Sequence, residues 1–277
     1  MPKITRKSAL LAFLLLCLLF LPPFNGFLRQ GMFLVEDYFD DRPEQSALFI
    51  GNSRTFYHNM PAMVRTIADS AGYTKKLHIE MAANPGVSLG FHLKNEHTQK
   101  LLSQKWDHVV LQVLSSDQYS AEQSPQAWQD ATSLIRQVQD HGSIPAMFVT
   151  WRYTDRCVKN AGMPTAEAMA FAPSGYANMH TNIQEQHARL AASTGVDLVN
   201  VGLVWEGLQS QPLSFSLYDD CNHPSIHGSY LSALMFYSYF SGNDVTDVTF
   251  RPDEISSEDA AMLRQAVSRD MQTNASK

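Results

Sequence analysis

A serine hydroxyl becomes a useful nucleophile when an imidazole can take its proton and a carboxylate holds that imidazole in place. The chain offers these three groups in two places. Ser53 follows the apolar run Ala47-Leu48-Phe49-Ile50 and then Gly51-Asn52, which predicts a serine at the carboxyl end of a buried strand. In an open α/β sheet that end faces the crevice where ligands bind. The second place is Asp219-Asp220-Cys221-Asn222-His223-Pro224-Ser225, where Asp220 stands three residues ahead of His223 and one loop can present both. Taken singly, Gly-Asn-Ser is more often a plain turn, and Asp-x-x-His recurs by chance. Their conjunction, with an apolar strand before one and an apolar helix after the other, points to nucleophilic catalysis.

Positioning these groups requires a scaffold, and the hydrophobic pattern predicts one. Short apolar runs at 46–50, 76–81, 106–113, 144–151 and 196–201 read as five strands. Helical spacing falls between them: from Pro61, with Met63, Val64, Ile67 and Ala68 on one face, from Ser88 to Leu102, from Ser124 to His141, and over 175–194. A closing helix is expected from Ser225 to Phe240, too short and too dotted with polar residues to span a membrane. Strict β/α alternation predicts a parallel sheet with helices on both faces. Residues 152–174, after strand four, and 210–224, before the last helix, interrupt the rhythm and read as loops.

Composition narrows the function classes. With 277 residues, 44% hydrophobic and 17% charged, the chain can bury a substantial core, which excludes disorder, collagen and coiled coil. The formal charge is −6, so no basic field gathers phosphates and nucleic acid is not an expected partner. Lys3, Arg6 and Lys7 precede the unbroken apolar run from Ser8 to Leu21, the pattern of an export signal. Pro22 and Pro23 follow, and no small-x-small cleavage site is present before Leu28. A cleaved signal peptide and an uncleaved membrane anchor over 8–28 both fit, and positive-inside orientation places the rest outside the cytoplasm, periplasmic or extracellular. An ordinary N-terminal helix packed on the domain is the competing reading. The expected organisation is thus 1–28 signal or anchor, 29–45 stalk or cover, 46–270 catalytic domain and 271–277 tail. In an oxidising compartment, Cys157 and Cys221 are the two exported cysteines, and their pairing is the economical expectation.

The order strand–Gly-Asn-Ser, glycine loop after strand two and Asp-x-x-His-Pro-Ser-x-x-Gly near the C-terminus resembles the SGNH/GDSL hydrolases, an esterase and lipase superfamily, in the branch with Gly-Asn-Ser in place of Gly-Asp-Ser. The likeness covers about residues 46–240. It implies a flavodoxin-like three-layer α/β/α sandwich with a mostly parallel five-stranded sheet. By that resemblance Ser53 is the nucleophile, His223 the base and Asp220 its orienter. The Ser53 and Gly86 backbone N–H groups would contribute to the oxyanion hole, with Gly86 preferred to Gly90, which should already be helical. The family's third block commonly reads Gly-x-Asn-Asp, but here Leu114-Ser115-Ser116-Asp117 holds no asparagine. Gln112, in the Leu111-Gln112 pair, is the expected side-chain donor, Ser116 its rival, and a polar residue bonding sheet ends the alternative reading of Gln112.

Candidate substrate contacts are Asn52, Tyr57, Trp151 and Arg152. Core packing for Trp151 and a surface ion pair for Arg152 compete with that assignment. His58 and Asn59 adjoin the same region, Asn59 equally well as a helix cap. His223 and His227 are four apart, but His227 reads as a helix-packing residue, and neither a metal nor a cofactor is expected. The activity implied is hydrolysis of an acetyl or short acyl ester, on a small molecule or a carbohydrate. Two other readings stay open: a membrane-tethered polysaccharide O-acyltransferase using the same triad, and a catalytically silent carbohydrate-binding domain.

Overall fold

The computed structural model describes residues 40–118, 124–154, 157 and 177–275. Five strands run parallel in the order β2-β1-β3-β4-β5: β1 (Glu44–Gly51), β2 (Lys76–Ala83), β3 (His108–Leu111), β4 (Ile144–Phe148) and β5 (Asp197–Val199). This is the flavodoxin-like order, whose switch point lies between β1 and β3. The helices are α1 (Ser53–Phe56), α2 (Met60–Ser70), α3 (Leu89–His92), α4 (Glu96–Leu102), α5 (Pro125–Asp140), α6 (Ala177–Thr194), α7 (Val201–Gln209), α8 (Ile226–Ser241) and α9 (Ser257–Ala275).

Side chains alternate across a strand, so an all-apolar strand needs cover on both faces. In β1, Ala47 and Phe49 enter one core, with α2, α7, α8 and α9, while Leu48 and Ile50 enter the other, with α3 to α6. The result is the expected three-layer sandwich. Met63, Val64, Ile67 and Ala68 of α2 are all buried, on the face their spacing predicts. α8 is buried nearly all round, which explains its apolar composition without a membrane. Among the described residues no helix is long and apolar enough to cross a membrane, and the expected anchor at 8–28 lies outside them.

Several expectations need correction. The helix expected over 88–102 is two helices: Ser88 caps α3, and Asn95 restarts the chain by accepting from the Thr98 N–H. The strand expected through Val201 stops at Val199, because Asn200 caps α7 by accepting from the Leu203 N–H at 3.1 Å. α9 was not foreseen, although Ser256 caps it, two acids open it, and Ala260, Leu263, Ala266 and Val267 line its buried face. It carries the chain helically to Ala275, through most of the stretch read as a tail. At the other end β1 already begins at Glu44, and Gln45, counted in the stalk, is buried and donates to the Phe240 carbonyl. Most of the 152–174 loop lies outside the described residues.

The compact unit Glu44–Lys277 holds all of these elements. Of the preceding unit, Met1–Pro43, residues 40–43 are described, and there Arg42 pairs with Asp40 at 2.6 Å.

Candidate active site

β1 ends where the chain must turn sharply upward. A Cβ on Gly51 would run into Thr55 Oγ1 and Gln112 Oε1, so only glycine passes here. Asn52 then caps α1: its Oδ1 accepts from the Arg54 N–H at 3.3 Å, and its Nδ2 donates to the Val87 carbonyl at 3.1 Å, tying the Ser53 turn to the glycine loop. Ser53 is the first residue of α1, half-buried, with its backbone N–H among those a helix start leaves without an intrahelical acceptor.

The histidine arrives from a tightly bonded loop between α7 and α8. Tyr218 and Pro224 form an antiparallel bridge, and the Asp219 N–H donates to the His223 carbonyl at 3.0 Å. Inside this turn Asp220 Oδ1 accepts from the N–H groups of Asn222 at 2.6 Å and His223 at 2.7 Å. Aspartate side chains favour such local turns because they bond backbone two or three residues on. Asp220 Oδ2 lies 2.7 Å from His223 Nδ1, and His223 Nε2 lies 3.0 Å from Ser53 Oγ. An ionised carboxylate only accepts, so Nδ1 carries the proton and Nε2 presents its lone pair to the Ser53 hydroxyl. Partial burial opposes ionisation of Asp220, but the bonds from the His223 ring and the two backbone N–H groups outweigh it and hold the carboxyl down at about 2. The structure thus brings Ser53, His223 and Asp220 into one hydrogen-bonded row.

The remaining candidates separate into groups. Gly86 has φ +65°, as its loop requires, and precedes Val87, the residue bonded to Asn52. Gln112 takes its alternative reading, a polar residue bonding sheet ends, and not that of side-chain donor. A backbone N–H can only donate, so the bond from the Asn52 N–H at 3.0 Å identifies the facing atom as Oε1, which also accepts from Thr55 Oγ1 at 3.1 Å. Its Nε2 is turned to the Val113 carbonyl. Gln112 therefore braces the end of β1, and its amide nitrogen does not face the Ser53 turn. Ser116 is exposed, in the turn Ser115–Gln118.

Two substrate-contact assignments are overturned by burial. Asn52 and Trp151 are each 1% exposed. The side-chain atoms of Asn52 are taken by the Arg54 N–H and the Val87 carbonyl, while Trp151 stacks on Trp205 at 3.7 Å and donates from Nε1 to the Asn222 carbonyl. Arg152 takes the surface-pair role, with Nε 3.1 Å from Glu206 Oε2. Tyr57 lies at the site, its ring stacked on that of His223. His227 stacks on Phe215 and pairs with Asp259 at 3.5 Å.

Three supporting features are not predicted by the sequence pattern. Arg54, directly after Ser53, is fully buried, and its Nε donates to Asn222 Oδ1 at 3.0 Å while Nη1 reaches Thr150 Oγ1 at 2.8 Å and the Trp151 carbonyl at 2.5 Å. Burial lowers its pKa to about 10 even though Tyr153, Tyr218 and Asp220 favour the charge. His92 is buried as well, donating from Nε2 to the Gly51 carbonyl at 2.9 Å, and burial depresses its pKa toward the neutral ring. A charged residue beside a candidate nucleophile was the only signal for Arg54, and His92 left none. Asn222, gripped by Arg54 and Trp151, was visible only as part of the loop. The expected cysteine pair is present: Cys157 and Cys221 form a disulfide with Cα atoms 5.0 Å apart, inserted between Asp220 and His223 in the chain.

No family model and no curated protein matches this sequence. Solved structures do match its fold. A DUF4886 family protein from Bacteroides uniformis aligns with a TM-score of 0.66 at 16% identity, over 84% of this chain and 96% of the other. A protein from Slackia heliotrinireducens assigned to the SGNH hydrolases aligns with a TM-score of 0.56 at 24% identity, over 71% and 99%. An acetylxylan esterase from Geobacillus stearothermophilus, crystallised as a catalytic mutant, aligns with a TM-score of 0.53 at 15% identity, over 76% and 99%. With its parallel β2-β1-β3-β4-β5 sheet between two helical layers, the chain has the fold of the SGNH/GDSL hydrolases.

Proposed function

We propose that this chain is an exported serine esterase that removes an acetyl or short acyl group from an alcohol oxygen, using Ser53, His223 and Asp220. One observation carries the reading: the row Ser53 Oγ, His223 Nε2, His223 Nδ1 and Asp220 Oδ2, closed at 3.0 and 2.7 Å at the carboxyl end of β1. A purely carbohydrate-binding domain has no need of a serine whose proton is already shared with an oriented imidazole.

The chemistry follows from those atoms. His223 Nε2 takes the Ser53 proton as Oγ attacks the ester carbonyl carbon, and the carbonyl electron pair moves onto its oxygen. When the tetrahedral species collapses, the alcohol oxygen leaves and takes the proton from Nε2, with Ser53 now acylated. Water then attacks the acyl carbon while His223 Nε2 takes one of its protons, and as this second tetrahedral species collapses the bond from Ser53 Oγ to the acyl carbon breaks, Oγ recovers the proton from Nε2, and the carboxylic acid departs. Asp220 remains ionised throughout and stabilises the imidazolium. The Ser53 and Gly86 N–H groups are the proposed oxyanion donors. With Gln112 turned away, Ser116 is the side-chain candidate that remains. Removal of one such donor costs roughly 10²–10³-fold in comparable sites, so a slow enzyme is consistent with this arrangement.

Residues 1–28 supply export, as signal or anchor, and the Cys157–Cys221 disulfide suits an oxidising compartment. The acetylxylan esterase sharing this fold makes acetylated carbohydrate the first natural substrate to test. The purified chain should be assayed on p-nitrophenyl acetate, butyrate and octanoate and on acetylated xylo-oligosaccharides. Release of free acid from the two shorter esters, lost by at least about 10³-fold in Ser53→Ala, supports the reading. Turnover unaffected by that substitution contradicts it.

A further inference from the structure

Among the described residues, the non-glycine positions with positive φ are two adjacent ones, His58 at 52° and Asn59 at 49°. Left-handed backbone is strained for residues with a Cβ, and such strain persists where surrounding contacts hold it. The strained pair lies between α1 and α2, and Asn59 gives α2 no side-chain cap in return. It is latched to α8 instead: His58 Nδ1 is 2.9 Å from the Ser229 hydroxyl, which also faces the Tyr57 carbonyl at 3.4 Å. Ser229 is itself buried. The reversal of the chain at 58–59 leaves the Tyr57 ring lying flat on the imidazole of His223, with centroids 4.4 Å apart and planes 5° from parallel.

We propose that Tyr57 is a positioning residue for the base: its ring, held by the strained turn, keeps the His223 imidazole in the plane that joins Ser53 to Asp220 and stabilises the imidazolium formed when Ser53 gives up its proton. This rests on the reading of His223 as the base. Rotation of the imidazole out of that plane breaks both of its hydrogen bonds at once, and the aromatic face blocks that rotation on one side. The same π face attracts a cation more than a neutral ring, so the contact strengthens as the transition state is approached. With that face occupied by His223, it is not available to a substrate. Among the described residues, Asp220 bonds the imidazole, Tyr57 stacks on it, Arg54 from α1 reaches its loop through Asn222, and Asp219 and Glu254 act on the neighbouring His58 of the strained turn.

The test is the rate of phosphonylation of Ser53 by a fluorophosphonate in the full chain, followed against pH, for wild type, Tyr57→Phe, Tyr57→Leu and Tyr57→Met. Tyr57→Met retains apolar cover without a π face and serves if the leucine variant does not fold. Tyr57→Phe is expected to remain within about twofold of wild type. In the other two, the plateau is expected to fall about two- to fivefold, and the acidic limb to move down by about half a pH unit, because loss of the ring removes a preference for the protonated form. A limb that stays in place in both variants overturns the proposal whatever the plateau does. No adduct on wild-type Ser53 overturns the hydrolase reading and this proposal with it.

Discussion

The Arg54 guanidinium donates from Nε to Asn222 Oδ1 across 3.0 Å, so the residue after Ser53 grips the residue before His223. Its other end holds the exit of β4 through Thr150 Oγ1 and the Trp151 carbonyl, and Trp151 Nε1 returns to the Asn222 carbonyl at 3.0 Å. The rings of Trp151 and Tyr153 cover the cation at 4.9 and 5.4 Å. The Ser53 turn, the end of β4 and the histidine loop are thereby locked together, which is how two residues 170 apart in sequence keep a 3.0 Å contact.

Arg54→Lys should therefore behave as a severe change. A lysine carries one compact charge and cannot reproduce the planar fork that reaches Asn222, Thr150 and Trp151 at once. Loss of charge-assisted bonds in a buried setting is expected to lower stability by about 2–3 kcal/mol in urea denaturation and to slow Ser53 phosphonylation. Wild-type stability and rate would show that the bracket does not hold the site.

The disulfide anchors the same loop from the other side. Cys221 is bonded to Cys157, and its carbonyl accepts from the Thr154 N–H at 3.0 Å. Replacement of both cysteines by alanine is expected to cost about 2–4 kcal/mol. It should also lower the reactivity of Ser53, because Asp220 and His223 flank the released residue. A thermal melt and a labelling rate, each with and without reductant, check this. Insensitivity of both to reductant would contradict it.

Asp220 links the site to pH. Its carboxyl is held at about 2, below the unfolded value of roughly 4. The folded state thus prefers the ionised form, and the associated stability is fully present above about pH 4 and disappears as pH falls through 2. Asp220→Asn should be less stable than wild type at neutral pH, with the gap closing toward pH 2, and slower in acylation by about 10³–10⁴-fold. Denaturation midpoints across that range decide the stability half of the claim, and a gap constant with pH would refute it.

His187 gives a second acid-sensitive point, remote from the chemistry. It is buried in α6, bonded from Nδ1 to the Ile183 carbonyl at 2.8 Å, and burial pushes its pKa down to about 4. The unfolded chain takes up a proton near pH 6.5 that the folded chain refuses, so stability declines as pH falls from about 6.5 to 4, by on the order of 3 kcal/mol. His187→Leu is expected to flatten that part of the stability profile, measured by chemical denaturation at several pH values.

What was legible in the sequence was whatever depends on neighbours along the chain. All five strands were placed, because an apolar run bounded by turn residues needs no distant information, and the Asp220-x-x-His223 loop announced itself for the same reason. α7 was lost because Asn200, read as the tail of a strand, is a helix cap. α9 was overlooked although its cap and spacing were present. The supports were invisible because their contacts are remote: Arg54 and Asn222 are 168 residues apart. Gln112 could be read as an oxyanion donor or as a polar residue bonding sheet ends, and only the group that faces its amide, here the Asn52 N–H, decides for the second. Trp151 could be read as core or as substrate contact, and its burial and its stack on Trp205 place it in the core.

The proposed activation of Ser53 by His223 is tested most directly by intact-mass detection and peptide mapping of a fluorophosphonate adduct on the folded chain. The result expected is one adduct, located at Ser53, absent from Ser53→Ala and slowed by at least about 10³-fold in His223→Ala. A folded protein that takes no adduct, or takes it at another residue, would contradict the account.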